Sequence, residues 1–216
     1  MRRDLLPSVL AIVVLTLMFG VAYPLATTGV AQVLFPNKAD GSQIERDGKV
    51  VGSGLIGQDF SKPVLDENGK PKEDADGNPV LEADTRYFQS RPSATGYSAN
   101  VTYFNNLGPN SKDLRDMFVA NLAAYVKRER PYDPGLKPSG VPVDAVTTSG
   151  SGVDPHISQA NARIQARRVA KVRGLSLDRV LQLVDDNTDR RALGVLGEPG
   201  VNVLKLNLAL DQEDSQ

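Results

Sequence analysis

The chain has 216 residues, a formal net charge of -1, one histidine, and neither cysteine nor tryptophan. The missing cysteines exclude disulfides, thiolate metal sites and cysteine nucleophiles, and a lone histidine cannot build a histidine-rich metal centre. The balanced charge gives no general attraction to nucleic acid, so no nucleic-acid partner is expected. The length accommodates one globular domain and an additional segment.

The beginning of the chain is predicted to cross a membrane once. No charged side chain occurs from Leu5 to Asn37, and a bilayer core needs about 20 apolar residues in a helix. Arg2 and Arg3 precede this stretch, and the positive-inside rule therefore places the N-terminus in the cytoplasm. We expect residues 1–35 to form the cytoplasmic N-terminus and transmembrane anchor, and residues 36–216 to form an exported globular domain.

A cleaved signal peptide is the alternative interpretation of the same stretch. Gly20, Val21 and Ala22 form a small-x-small sequence after an apolar core, as signal cleavage requires. The uncharged stretch continues well past that point, however, and Pro24 lies two residues beyond it. Both interpretations place the remaining domain outside the cytoplasm.

Four helices are predicted, one of which is the membrane anchor. Ser111 is expected to cap a helix over 112–129, which carries an amphipathic stripe. Asp154 is expected to cap a helix that runs from Pro155 to about 173, with Gly174 as its left-handed end. Ser176 is expected to cap the last of them.

The strand signals complete the predicted fold. Alternating apolar residues flank Asp47-Gly48, a strong hairpin signal. The predicted sheet includes 44–51, 141–147 and 201–210, with two to four covering helices. Residues 66–84 are polar and rich in turn formers, and we expect a surface insertion there. The predicted fold class is α/β (α+β): a single globular domain anchored by one N-terminal transmembrane helix.

Two features of the segment 151–174 suggest chemistry or binding. Arg163, Arg167 and Lys171 recur every four residues on one helix face, where like charges repel one another. An acidic partner surface or an anion would relieve that repulsion, so we predict that these residues dock a partner. His156 would need an orienting carboxylate and a nucleophile to act as a catalytic base, and we expect a structural or interfacial histidine instead.

Several motifs, in order along nearly the whole chain, resemble one family: the C subunit of the Kdp potassium-transporting P-type ATPase. They are Gly52-Ser-Gly-Leu-Ile-Gly-Gln58, Tyr87-Phe-Gln-Ser-Arg-Pro-Ser-Ala94, Asn106-Leu-Gly-Pro109, Val141-Pro-Val-Asp144, Ser151-Gly-Val-Asp-Pro-His-Ile-Ser158, Arg168-Val-Ala-Lys-Val-Arg-Gly-Leu175 and Val201-Asn-Val-Leu204. The chain departs from the family pattern in two places. Residues 66–84 look like an insertion relative to the family, and residues Ala99 to Asn105 replace the family's compact run of serine and glycine.

The resemblance implies a non-catalytic accessory subunit of a high-affinity, ATP-driven potassium uptake complex in the plasma (inner) membrane. Its partners would be a channel-like potassium-translocating subunit and an ATP-hydrolysing subunit. The resemblance allows two roles. In the first, the chain is a catalytic chaperone that raises the ATP affinity of the ATP-hydrolysing subunit, and Gln165 would be its contact with the nucleotide. No catalytic residue and no metal ligand is expected in this chain.

In the other role, the exported domain covers the outer mouth of the potassium-translocating subunit and stabilises the complex. A P-type ATPase binds ATP in the cytoplasm, whereas Arg2 and Arg3 predict that Gln165 lies outside. The charge pattern therefore favours the outer cap over the catalytic chaperone. A solitary anchored exported protein, either a binder or a hydrolase, is the remaining alternative.

Overall fold

The structure is a computed structural model that describes residues 2–98, 100–101 and 106–213. Its internal contacts divide the chain into two compact units, residues 1–53 and residues 54–216. Helices and short strands together build these units, which confirms the predicted mixture of helix and strand with one apolar helix before it.

The first unit begins with the apolar helix. Helix α1 (Arg2–Leu17), a π-helical turn (Met18–Ala22) and helix α2 (Tyr23–Leu34) follow one another without a break. The span Arg3–Leu34 has 32 residues and is long and apolar enough to cross a membrane. The π-helical turn ends two residues before Pro24. A proline inside a helix lacks a backbone N–H and crowds the preceding turn, which favours such a local widening of the helix.

A short helix and a hairpin complete this unit. Helix α3 (Pro36–Ala39) leads into strands β1 (Gln43–Arg46) and β2 (Lys49–Ser53), which pair antiparallel. Asp47 and Gly48 join them with φ values of 52° and 73°. Both values lie in the left-handed region that a two-residue hairpin turn needs, so the hairpin prediction is confirmed.

Among its described residues, the second unit contains four α-helices and two small sheets. Its elements are β3 (Ser61–Pro63), β4 (Leu81–Ala83), α4 (Lys112–Glu129), β5 (His156–Ile157), α5 (Gln159–Arg173), α6 (Leu177–Asp186), β6 (Thr188–Asp189), β7 (Gly200–Asn202) and α7 (Val203–Glu213). Strands β3 and β4 form one antiparallel pair. The other sheet is antiparallel with the order β5-β7-β6.

The largest hydrophobic core lies among α5, α6, α7 and the three-stranded sheet. Its fully buried members include Phe88, Ala162, Ala166, Val169, Val180, Val184, Val201, Val203, Leu206 and Leu210. Burial of such side chains contributes about 25 cal/mol per Å² of apolar surface. A second, smaller cluster joins Tyr125 of α4 to Leu136 and Ala145.

Three helix ends predicted from capping residues agree with the structure. The side chain of Ser111 accepts a hydrogen bond from the backbone N–H of Leu114, and Ser176 caps α6 in the same way. Gly174 ends α5 with a φ of 70°, which a glycine adopts at no steric cost.

The predicted start of α5 was wrong by four residues. The helix begins at Gln159 and its cap is Ser158, not Asp154. Asp154 instead accepts a hydrogen bond from the backbone N–H of His156, and His156–Ile157 pairs with β7. The buried Ile157 side chain explains this outcome, since strand pairing brings it into the core.

Two predicted strands were also wrong. Residues 141–147 contain a single 3₁₀ turn, Val143–Ala145, in which Val143 is exposed. Of 201–210, only the first two residues are extended, and α7 takes the rest. Strands β1 and β2 belong to the first unit, so the three predicted segments do not share a sheet.

Residues 66–84 are largely exposed and form two successive tight turns. Asp66 and Asp74 each accept hydrogen bonds from the backbone N–H groups two and four residues later. These bonds lower the pKa of both carboxyl groups. Local Asx turns therefore give this polar segment a defined backbone without a core of its own.

Candidate docking and nucleotide-contact sites

The basic row predicted on α5 is exposed in the structure. Arg163, Arg167 and Lys171 all point away from the core, whereas Gln165, Arg168 and Val169 on the opposite face are buried. Helical periodicity produces this division, because residues four apart share a face. The three cations thus form a continuous row on the outside of the second unit.

Only one ion pair involving this row is found among the described residues. Arg167 Nε lies 3.4 Å from Asp133 Oδ2, and about half of the Arg167 side chain remains exposed. Arg163 and Arg167 also line a shallow groove with Leu177, Leu181 and Asp185. Such an exposed pair contributes little to stability, so most of the row's positive charge is available to a partner.

Gln165, the predicted nucleotide contact, lies on the buried side of the same helix. Its side-chain Oε1 accepts hydrogen bonds from Gln89 N at 2.8 Å and from Arg168 Nη2 at 2.9 Å. Its Nε2 donates to Gln89 O at 3.0 Å and to Asn161 Oδ1 at 2.9 Å. These four bonds use the whole capacity of the amide.

Gln165 also contributes to the wall of a polar cleft of about 280 Å³, together with Arg91, Tyr97, Arg128 and other side chains. Burial is the main cause that raises the pKa of Tyr97 to about 12, so its hydroxyl stays protonated. Gln165 and the basic row are therefore on opposite faces of α5, one inside the fold and the other outside. That Gln165 contacts a nucleotide stays a prediction.

A buried polar network, not foreseen from the sequence, surrounds Gln165. Arg168 Nε lies 3.1 Å from each carboxylate oxygen of Glu129, and both side chains are completely buried. Arg168 also donates to the backbone carbonyls of Thr85 and Tyr87. Burial lowers the pKa of Arg168, and the Glu129 carboxylate opposes that effect.

A second part of the network anchors the start of α5. Asp144 accepts from the backbone N–H and the hydroxyl of Ser158 and from the Asn161 amide. Tyr125 of α4 donates to Asn161 Oδ1 at 2.8 Å. The resemblance motifs supply Asp144, Ser158 and Arg168, yet their spacing in the sequence gives no sign that they converge.

His156 has carboxylates as its partners. Its Nε2 lies 2.8 Å from Asp189 Oδ2, and its Nδ1 lies 3.7 Å from Asp154 Oδ1. Asp154 first, and then Asp189, raise the pKa of the imidazole. Ser149 and Ser151, the nearby hydroxyls, accept from the backbone N–H groups of Gly152 and Val153. The geometry links three segments of the fold and does not include a serine–histidine pair among the described residues.

Comparison with known proteins identifies the family. Residues 5–212 match the family model described as "KdpC: K+-transporting ATPase, c chain". A Rhodospirillum rubrum protein named "Potassium-transporting ATPase KdpC subunit" is 50% identical over 214 residues, covering 98% of this chain and 97% of that protein. A protein of the same name from Polaromonas naphthalenivorans is 49% identical, with 98% and 95% of the two chains covered.

A Mycobacterium tuberculosis protein of the same name is 44% identical over 215 residues, covering 98% of this chain and 100% of the relative. The similarity therefore includes both the apolar helix and nearly all of the second unit. With a match of this extent, the chain belongs to the KdpC family, the C chain of the K+-transporting ATPase.

Proposed function

We propose that this chain is a non-catalytic accessory subunit that caps the outer side of the potassium-translocating subunit and stabilises the assembled pump. The apolar helix would cross the plasma membrane once, with Arg2 and Arg3 on the cytoplasmic side and the second unit outside. Membership of the KdpC family supports the pump as its setting and speaks against a solitary binder or hydrolase.

The observation that carries this proposal is the exposed basic row of Arg163, Arg167 and Lys171. These residues have no role in the core, which the other face of α5 supplies. Three like charges along one helix face cost free energy in the isolated chain, about 0.2–0.5 kcal/mol for each pair. An acidic surface on a partner subunit would turn that cost into attraction and would also accelerate association.

The hydrogen bonds of Gln165 support the cap over the catalytic chaperone. Contact between this amide and ATP would break bonds to the backbone of Gln89 and to Arg168, which are buried. Each buried group left without a partner costs about 1–3 kcal/mol. A nucleotide would have to supply replacements for these bonds before it gained any affinity.

Charge reversal of the basic row tests the cap. We expect the double variant Arg163→Glu and Arg167→Glu to lower the affinity for the other pump subunits on the order of tenfold, because facing acids would then repel it. The measurement is co-purification of the detergent-solubilised pump at increasing salt concentration. The variant complex should dissociate at lower salt than the wild-type complex.

The matched control is Lys70→Glu with Lys72→Glu, which changes the charge equally at two exposed residues of the 66–84 segment. This control should assemble like the wild type. Thermal unfolding of both variants checks that loss of the exposed Arg167–Asp133 pair has not disturbed the fold. Assembly of the α5 variant at wild-type salt tolerance would contradict the docking role.

A further inference from the structure

The connection between β6 and β7 presents an apolar surface that the fold does not use. We call residues 192–196 of this connection the tip. Leu193, Val195 and Leu196 have 90%, 72% and 59% of their surfaces exposed. A single exposed aliphatic residue is ordinary, but three within four positions of one turn form a patch that a folded protein ordinarily keeps for a binding partner.

The tip has a defined shape. Ala192 and Leu196 exchange backbone hydrogen bonds of 2.8 and 2.9 Å, which close the turn. At its base, Arg191 Nη2 donates to both carboxylate oxygens of Glu198 at 2.8 and 2.9 Å. The apolar side chains are thus held in place before any partner arrives, which reduces the entropy lost on binding.

Leu193 occupies an unfavourable backbone conformation. Its φ is 54°, in the left-handed region, which glycine, asparagine and aspartate tolerate but which is strained for a bulky side chain. Folding alone would favour one of those residues here, since Leu193 is the most exposed side chain of the patch. A leucine at this position costs stability and gives nothing to the core in return.

This combination favours a protein partner over a lipid surface. A fluid bilayer rewards apolar area in any arrangement, whereas a fixed and strained side chain suits a pocket of matching shape. The tip also lacks the tryptophan and tyrosine side chains that are enriched at membrane interfaces. Glu198 neutralises Arg191, which leaves the single positive charge of Arg190 beside the tip, whereas attraction to anionic lipids takes a cluster of several cations.

The charge beside the tip indicates which groups should line the rim of a partner's pocket. Arg190 is exposed at the start of the connection, and among the described residues it has no hydrogen-bond or ion-pair partner. The carboxylate of Asp189 next to it is already engaged by His156 and Lys205. An acidic group on a partner would therefore complement Arg190 while the tip occupies an apolar cavity.

We propose that the tip is the apolar anchor by which this chain docks into an acid-rimmed, apolar pocket on another subunit of the pump. This inference rests on the proposed function and adds a second contact to the basic row on α5. The two surfaces are independent, because neither shares a residue with the other.

Replacement of Leu193 by asparagine separates docking from folding. Leu193→Asn removes the anchor and relieves the strain, so the variant should unfold at the same or a higher temperature than the wild type. Its affinity for the other pump subunits should nevertheless fall about tenfold or more, as expected for a central apolar anchor. Val119→Asn, which introduces the same polar side chain in place of an aliphatic residue of α4 that is 62% exposed, should leave assembly unchanged. If the Leu193→Asn variant binds the other pump subunits with wild-type affinity, the proposal is overturned.

A photoreactive amino acid at position 193 of the intact pump identifies what the tip touches. A crosslink to the potassium-translocating subunit would support both the anchor and the cap, whereas a crosslink to a different pump subunit would support the anchor and contradict the cap. Crosslinks to lipid alone, or none at all, would overturn the anchor. Charge reversal on α5 tests the cap separately, so failure of one proposal is distinguishable from failure of the other.

Discussion

Arg168 and Glu129 form an ion pair that has no exposed surface in the centre of the second unit. Taking two charges out of water costs several kcal/mol each, and the pair is tolerable only because its remaining hydrogen-bonding groups are satisfied. Arg168 achieves this by also binding two backbone carbonyls and Gln165. The sequence could not indicate this, because Arg168 lies within a basic run in which Arg163, Arg167 and Lys171 are exposed.

Substitution of Glu129 tests how strongly this pair supports the fold. Glu129→Gln leaves the Arg168 guanidinium buried without a counter-charge, and we expect a loss of about 3 kcal/mol in the free energy of unfolding. The measurement is chemical unfolding followed by circular dichroism. Glu82→Gln makes the same chemical change in the exposed pair with Lys62 and should have little effect. Equal stability of the two variants would contradict a structural role for the buried pair.

Single elements differ in how far local sequence determines them. The caps of α4 and α6 were predicted correctly because a serine side chain bonds a backbone N–H three residues ahead, whatever lies around it. Residues 201–210 show the opposite case, since their apolar residues fit either a strand or a helix. In the structure, Asn202 accepts from the backbone N–H of Lys205, and Leu206 and Leu210 pack into the core one turn apart.

Gly57 shows how closely two segments of the second unit approach. Its N–H donates to Val153 O at 2.8 Å, and an added Cβ would lie 2.5 Å from Asp154 O and 2.8 Å from the Tyr97 ring. We expect Gly57→Ala to destabilise the fold by about 1–3 kcal/mol, because backbone atoms must move. Thermal unfolding measures this, with Gly140→Ala as the control, since no atom lies within 4 Å of its added Cβ. A variant as stable as that control would show that the two segments are free to separate.

At the scale of the whole molecule, the orientation in the membrane decides between the two roles of the family. The chain has no natural cysteine, so one cysteine at Asn78, an exposed residue, gives a unique label site. We expect a membrane-impermeant thiol reagent to label intact cells that carry Asn78→Cys, because Arg2 and Arg3 favour a cytoplasmic N-terminus.

Labelling that requires permeabilised cells would reverse the proposed topology and would restore the catalytic chaperone with Gln165. Cysteines introduced next to Arg3 provide the complementary control, since they should be labelled only after permeabilisation. Together the two positions report both sides of the membrane independently of pump activity.

The sequence by itself determined the apolar membrane-spanning helix, the 44–51 hairpin, the caps of α4 and α6 and the exposed basic row. It also determined the family, through motifs that extend along nearly the whole chain. Each of these follows from composition or from contacts within a few residues. The tertiary structure alone decided that 203–213 is helical, that His156 pairs with Asp189, and that Arg168 binds Glu129 across 39 positions. Those outcomes depend on which groups, distant in the sequence, are packed and buried against one another in the fold. Spacing along the chain does not carry that information.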